Sequence, residues 1–92
     1  MPSLKDFAPE INLAKDESVT VQIACDGVYE QQEKTYLIPV LRDGQPAKLK
    51  GGKRLMNAVF AIIKPRSGVV TIKVTAHGEP RTFERDYEVK LV

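Results

Sequence analysis

The chain has 92 residues, 42% hydrophobic and 28% charged, with a net charge of +2. That length holds one domain and one core, and a chain this short buries about 60–65% of the surface its unfolded form exposes. The composition is ordinary for a globular protein, so disorder is not the default, and the solitary Cys25 excludes an intrachain disulfide. With no tryptophan, three tyrosines and three phenylalanines, a stacking platform for bases is disfavoured, because such platforms need several exposed rings.

The charge is unevenly spread. Residues 1–33 carry two basic and seven acidic side chains, −5; residues 34–73 carry nine basic and one acidic, +8; residues 74–92 carry three basic and four acidic, −1. Such asymmetry points to an acidic partner or to halves that neutralise each other, within one copy or between two.

The first 17 residues contain two prolines and no clear period, so they read as an extended lead-in with a short edge strand at "EINLA". The lead-in has no apolar run of a signal peptide, and no segment of the chain approaches the roughly 18 apolar residues of a membrane span. The expectation is a protein that is cytoplasmic as synthesised and has no membrane partner. It could still join a virion, since assembly into a particle needs no signal.

"SVTVQIAC" (18–25) alternates, with Val19, Val21, Ile23 and Cys25 on one face, and predicts a half-buried strand. "DGVYEQQEK" (26–34) opens with a turn signal. "TYLIPVL" (35–41) is apolar on both faces. Pro39 lacks a ladder donor, which predicts an edge strand or a bulge there. "RDGQP" (42–46) predicts a turn with positive φ at Asp-Gly.

"LMNAVFAIIK" (55–64) fits two periods. Leu55, Met56, Val59, Phe60, Ile62 and Ile63 match a helical face, but the run is short, ends in β-branched residues and lies between strands. We read it as a strand, with a helix as the alternative. "PRSG" is a turn, "VVTIKVTA" (69–76) a strand, "HGEP" a turn, and "TFERDYEVKLV" (82–92) a strand with Phe83, Arg85, Tyr87, Val89 and Leu91 on one face. Strand centres spaced about 8–15 residues apart, with Gly, Pro or Asp in every gap, predict an all-β fold, an antiparallel sandwich of about seven strands. The division is a lead-in over 1–17 and one β-sandwich domain over 18–92. The alternatives are a small β-barrel, or an α+β fold if 55–64 is helical.

Candidate chemistry is sparse. His77 in "AHGEP" reads as an exposed turn histidine rather than a general base, which would need a nucleophile and an orienting acid. Cys25 falls on the inward face and reads as a small hydrophobe. Asp26, Glu30 and Glu33 lack the spacing of a calcium loop. No cofactor or metal is expected, and no catalytic role.

The densest charge is "KLKGGKR" (48–54). If Gly51-Gly52 make a two-residue hairpin turn, Lys48, Lys50, Lys53 and Arg54 crowd its tip, with Arg42 near. The plainer reading is a solvated loop whose lysines protect an edge. The functional readings are contact with a protein's acidic surface or with nucleic acid, and only Asn57 is at hand for base readout.

From residue 40 onward, "VLRDGQPAKL", "NAVFAIIKPRSGVVTIKVTAHGE" and "YEVKLV" resemble the strands and corners of an immunoglobulin-type domain. The cysteine pair, the core tryptophan and the tyrosine near "SGVVTIKV" are missing, which argues against an antibody or receptor domain. What the resemblance implies is a disulfide-free immunoglobulin-like sandwich of bacterial or phage type. The expected function is therefore non-enzymatic: a module docking on a larger assembly, such as a phage virion or bacterial accessory protein, through Lys48, Lys50, Lys53, Arg54 and Arg42. The alternative is a small nucleic-acid binder using the basic loop.

Overall fold

The computed structural model describes residues 9–27, 29–79 and 82–92. The strands are β1 (Glu10–Ile11), β2 (Ser18–Ala24), β3 (Glu30–Gln32), β4 (Thr35–Arg42), β5 (Gln45–Gly51), β6 (Val69–His77) and β7 (Asp86–Leu91), with one helix, α1 (Lys53–Ile63), among the described residues. All seven strands belong to one mixed sheet of order β1-β5-β4-β2-β6-β7, with β3 pairing β4 beside that path. Among the described residues only β1–β5 is parallel, a departure from the expected antiparallel arrangement. The fold is strand-rich with a helical layer where a sandwich would have a second sheet.

The alternation read from sequence sets the inner face. Val19, Val21 and Ile23 of β2 stand beside Val74, Ile72 and Val70 of β6, and Ile38 and Val40 of β4 stand beside Leu49 and Ala47 of β5. Nearly all of these are buried, in one cluster with the helix residues Leu55, Met56, Val59 and Ile63. Each fully buried aliphatic side chain contributes about 1.5–3 kcal/mol. The expected strands over 18–25, 35–41 and 69–76 are present within a residue or two. The short edge strand expected at "EINLA" is β1, while residues 1–8 of the lead-in lie outside the described residues. Asp43 (φ 52°) and Gly44 (φ 78°) make the expected positive-φ turn between β4 and β5.

Three expectations need correction. The segment 55–64 belongs to a helix, not a strand. Its buried residues, Leu55, Met56, Val59 and Ile63, form one helical stripe. Sheet order supplies the reason: β5 and β6 are separated by β4 and β2, so the chain must cross the inner face, and a helix does so with its backbone satisfied. Arg66 closes the far end, its backbone N–H donating to Ile63 O (3.0 Å) and its Nη1 to Ile62 O (2.7 Å).

Second, β4 is neither an edge nor bulged at Pro39. Its register with β5 runs without a break from Tyr36↔Gly51 to Arg42↔Gln45. Lys48, opposite Pro39, donates its N–H to Pro9 O on the other side. The pair is therefore non-hydrogen-bonded, and the missing donor of Pro39 faces away from β5. On that side β3 pairs with β4 as far as Leu37 and β2 pairs at Leu41, so Pro39 falls in the interval between the two ladders.

Third, the last strand begins at Asp86 rather than Thr82, and Thr82–Glu84 form a bend and turn.

The helix touches β4 and β5 toward one end of the sheet and β7 at the other, so the sheet curls around it. Arg85, just before β7, donates from Nη2 to the carbonyl of Leu13, which follows β1 (2.5 Å).

Candidate binding cleft at the start of the helix

The basic stretch is not a hairpin tip. Gly51 is the last residue of β5, opposite Tyr36, and Gly52 is the N-cap of α1. Gly51 is required by packing: a Cβ there would lie 2.5 Å from Leu55 Cδ2 and 2.9 Å from Leu55 Cβ. This close approach lets the strand turn directly into the helix.

The five predicted contact residues separate. Arg42 ends β4 and pairs with Gln45 at the opposite end of the β4–β5 hairpin. Lys48 is 2% exposed and offers no surface. Lys50 is at the surface, with its Nζ 3.2 Å from Glu10 Oε1. Lys53 and Arg54 are exposed and form the first turn of the helix.

Lys50, Gly51, Gly52 and Arg54 line an open cleft of about 930 Å³. Its other walls are Phe83, Arg85 and Tyr87, together with Asn12, Leu13, Thr35 and Thr82. Arg54 Nη1 donates to Phe83 O (2.9 Å) and Arg85 O (2.8 Å). Arg85 donates from Nη1 to Gly78 O (3.1 Å) and from Nε to Tyr87 Oη (3.2 Å), with its guanidinium 5.0 Å from the Tyr87 ring centroid. These acceptors are carbonyls and a phenol. They satisfy donors but leave the positive charge uncompensated, and among the described residues neither arginine has a carboxylate within ion-pair distance. Phe83, 98% exposed, adds an apolar ring.

The helix start sharpens the field. Gly52 provides no side-chain cap, and the first turn contains no acid. The free N–H groups and the positive end of the helix dipole therefore sit among cations. Lys53 and Arg54 are in the position where cations are least favourable for helix stability.

Arg85, Phe83 and Tyr87 were not among the sequence-derived contact residues. One signal pointed to Arg85: a charge in phase with Phe83, Tyr87, Val89 and Leu91. His77 ends β6 at the surface, with Nδ1 3.7 Å from Asp16 Oδ1 and Nε2 3.4 Å from Glu88 Oε2. Cys25 is half-buried against the core. Among the described residues no three His, Cys, Asp or Glu side chains are grouped to hold a metal ion, and no helix is long and apolar enough to cross a membrane. The chain matches no protein-family model, no curated protein and no solved structure.

Proposed function

We propose that the protein is a non-enzymatic interaction module that docks an acidic segment of a protein partner in the cleft at the start of α1. The observation that carries this is the helix N-terminus, where Lys53 and Arg54 stand without an acid or a side-chain cap. A helix serving only the fold gains about 0.3–1 kcal/mol from an acid in that turn. Cations there give up that stabilisation and instead suit an incoming anion, which meets free backbone N–H groups, Arg54, Arg85 and Lys50 together. The contact set is thus Lys50, Arg54 and Arg85 in the cleft and Lys53 in the same first turn of the helix, with Phe83 as its apolar contact. The setting is a larger assembly, such as a phage particle or a bacterial accessory complex. Immunoglobulin-like kinship is not among the supports of this reading, which rests on the cleft.

The test is titration calorimetry with a poly-glutamate peptide and, separately, a single-stranded DNA oligonucleotide, at low and high salt. We expect the peptide to bind in a salt-sensitive way. Lys53→Glu should abolish that binding while raising the melting temperature, because it places an acid at the positive helix end. Binding of DNA but not peptide transfers the cleft to nucleic acid. Binding of neither at low salt ends the proposal.

A further inference from the structure

The two edges of the sheet are unlike. β1 is two residues long, and such brevity blunts an edge. β7 runs for six residues, contains neither Pro nor Gly, and pairs in unbroken register with β6. Val92 N–H donates to Thr71 O. In an antiparallel ladder the side to which a residue's N–H and C=O point alternates, so residues 86, 88, 90 and 92 bond to β6. Tyr87, Val89 and Leu91 therefore turn their backbone groups outward. Among the described residues, only the Tyr87 N–H of those groups has a partner, the Asp86 Oδ1 at 2.9 Å. The side chains beside this edge are unprotected: Leu91 is 42% and Val92 76% exposed.

We propose that β7 is the dimerisation edge of the protein, pairing antiparallel with β7 of a second copy about a two-fold axis at Val89. Charge selects both the occupant and the register. The outward row on the solvent face of β7 reads Asp86, Glu88, Lys90. Centring on Glu88 sets Glu88 against its own copy, and centring on Lys90 sets Lys90 against its own copy, so both registers oppose like charges. Centring on Val89 places Glu88 of each copy across from Lys90 of the other, on both sides of the axis. It also brings outward-facing backbone groups together, Val89 with Val89 and Tyr87 with Leu91, and sets Tyr87 beside Leu91 on the inner face. Within one copy Glu88 Oε1 already lies 2.6 Å from Lys90 Nζ; pairing re-forms that attraction across the strands. The surface is isologous, as a two-fold requires, and shares Tyr87 with the cleft at Lys50 and Arg54.

Sedimentation over a concentration series tests it. The wild type is expected to show a monomer–dimer equilibrium. Glu88→Lys alone and Lys90→Glu alone each set like charges across the axis and should weaken dimerisation at least about tenfold. An equimolar mixture of the two variants should dimerise again, because two lysines on one strand then face two glutamates on the other. A merely structural role for either residue does not restore dimers on mixing. A wild type that stays monomeric at the highest soluble concentration overturns the proposal, as do variants that dimerise alone or a mixture that does not. Should either variant fail to fold, amide exchange of the wild type decides. Protection at Val89 and Leu91 that rises with concentration supports the edge, and protection independent of concentration refutes it.

Discussion

Replacing Gly78 by alanine separates two effects that usually come together. Gly78 (φ 80°) and Gly44 (φ 78°) share a left-handed backbone conformation, in which an L side chain costs about 1–2 kcal/mol. At Gly44 a Cβ would meet no atom within 4 Å. At Gly78 it would run into the carbonyl oxygen of Glu84, 2.6 Å from that carbonyl carbon and 3.0 Å from Arg85 N. These are backbone atoms, so no rotamer change relieves the clash, and overpacking of this kind adds about 1–3 kcal/mol. Gly44→Ala is therefore expected to lose about 1–2 kcal/mol and Gly78→Ala about 2–5 kcal/mol. One kcal/mol moves the melting temperature of a domain this size by about 4–8 °C, so the two variants should differ by at least about 4 °C in a calorimetric or circular-dichroism melt. Gly78→Ala should also disturb the cleft, because Arg85 donates to Gly78 O and Arg54 to Arg85 O. Equal melting temperatures for the two variants would refute the close approach of residues 78 and 84–85.

Gly51→Ala should lose about 1–3 kcal/mol by pressing on Leu55, and Leu55→Ala about 2–5 kcal/mol by leaving a cavity. In urea unfolding the double variant should lose less than the sum, since removing the Leu55 side chain beyond Cβ relieves the 2.5 Å collision with Cδ2, though not the 2.9 Å one with Cβ; strict additivity contradicts the contact. Pro39→Ala should change stability by less than about 1 kcal/mol, through the freedom it restores to the unfolded chain; a stabilisation larger than that would reveal a ladder partner for the new N–H. Glu88 is held below its ordinary pKa of 4.5 by the hydrogen bond and charge of Lys90, with His77 assisting, and Lys90 is raised above 10.5 by Glu88. A lowered carboxyl pKa contributes stability above the unfolded value and loses it as pH falls through the folded one. The raised lysine contributes below 10.5 and loses its share as pH rises through its folded value. Carbon NMR titration of the Glu88 carboxyl checks the first sign: a midpoint at or above 4.5 rejects it.

Each signal in the chain specifies structure only as far as it reaches. Val19, Val21 and Ile23 declared their strand because alternation is local, and Asp43-Gly44 declared its turn because positive φ is a property of those residues alone. Leu55 to Ile63 carried both periods at once. The choice fell to the helix only because β5 and β6 are not neighbours and the inner face needed a cover. Pro39 looked like a defect until the register showed its bare nitrogen facing a gap. The five basic residues likewise formed one cluster along the chain but not in space. Arg42 went to the far end of a hairpin and Lys48 to a buried place on the face of the sheet opposite the core, while Arg85 arrived from 31 residues beyond Arg54. Local sequence determined which segments extend and which turn, because backbone preference and side-chain alternation act over a few residues. Strand order, the curl of the sheet around α1 and the assembly of the cleft were decided by tertiary structure, since they depend on contacts between residues that the chain keeps far apart.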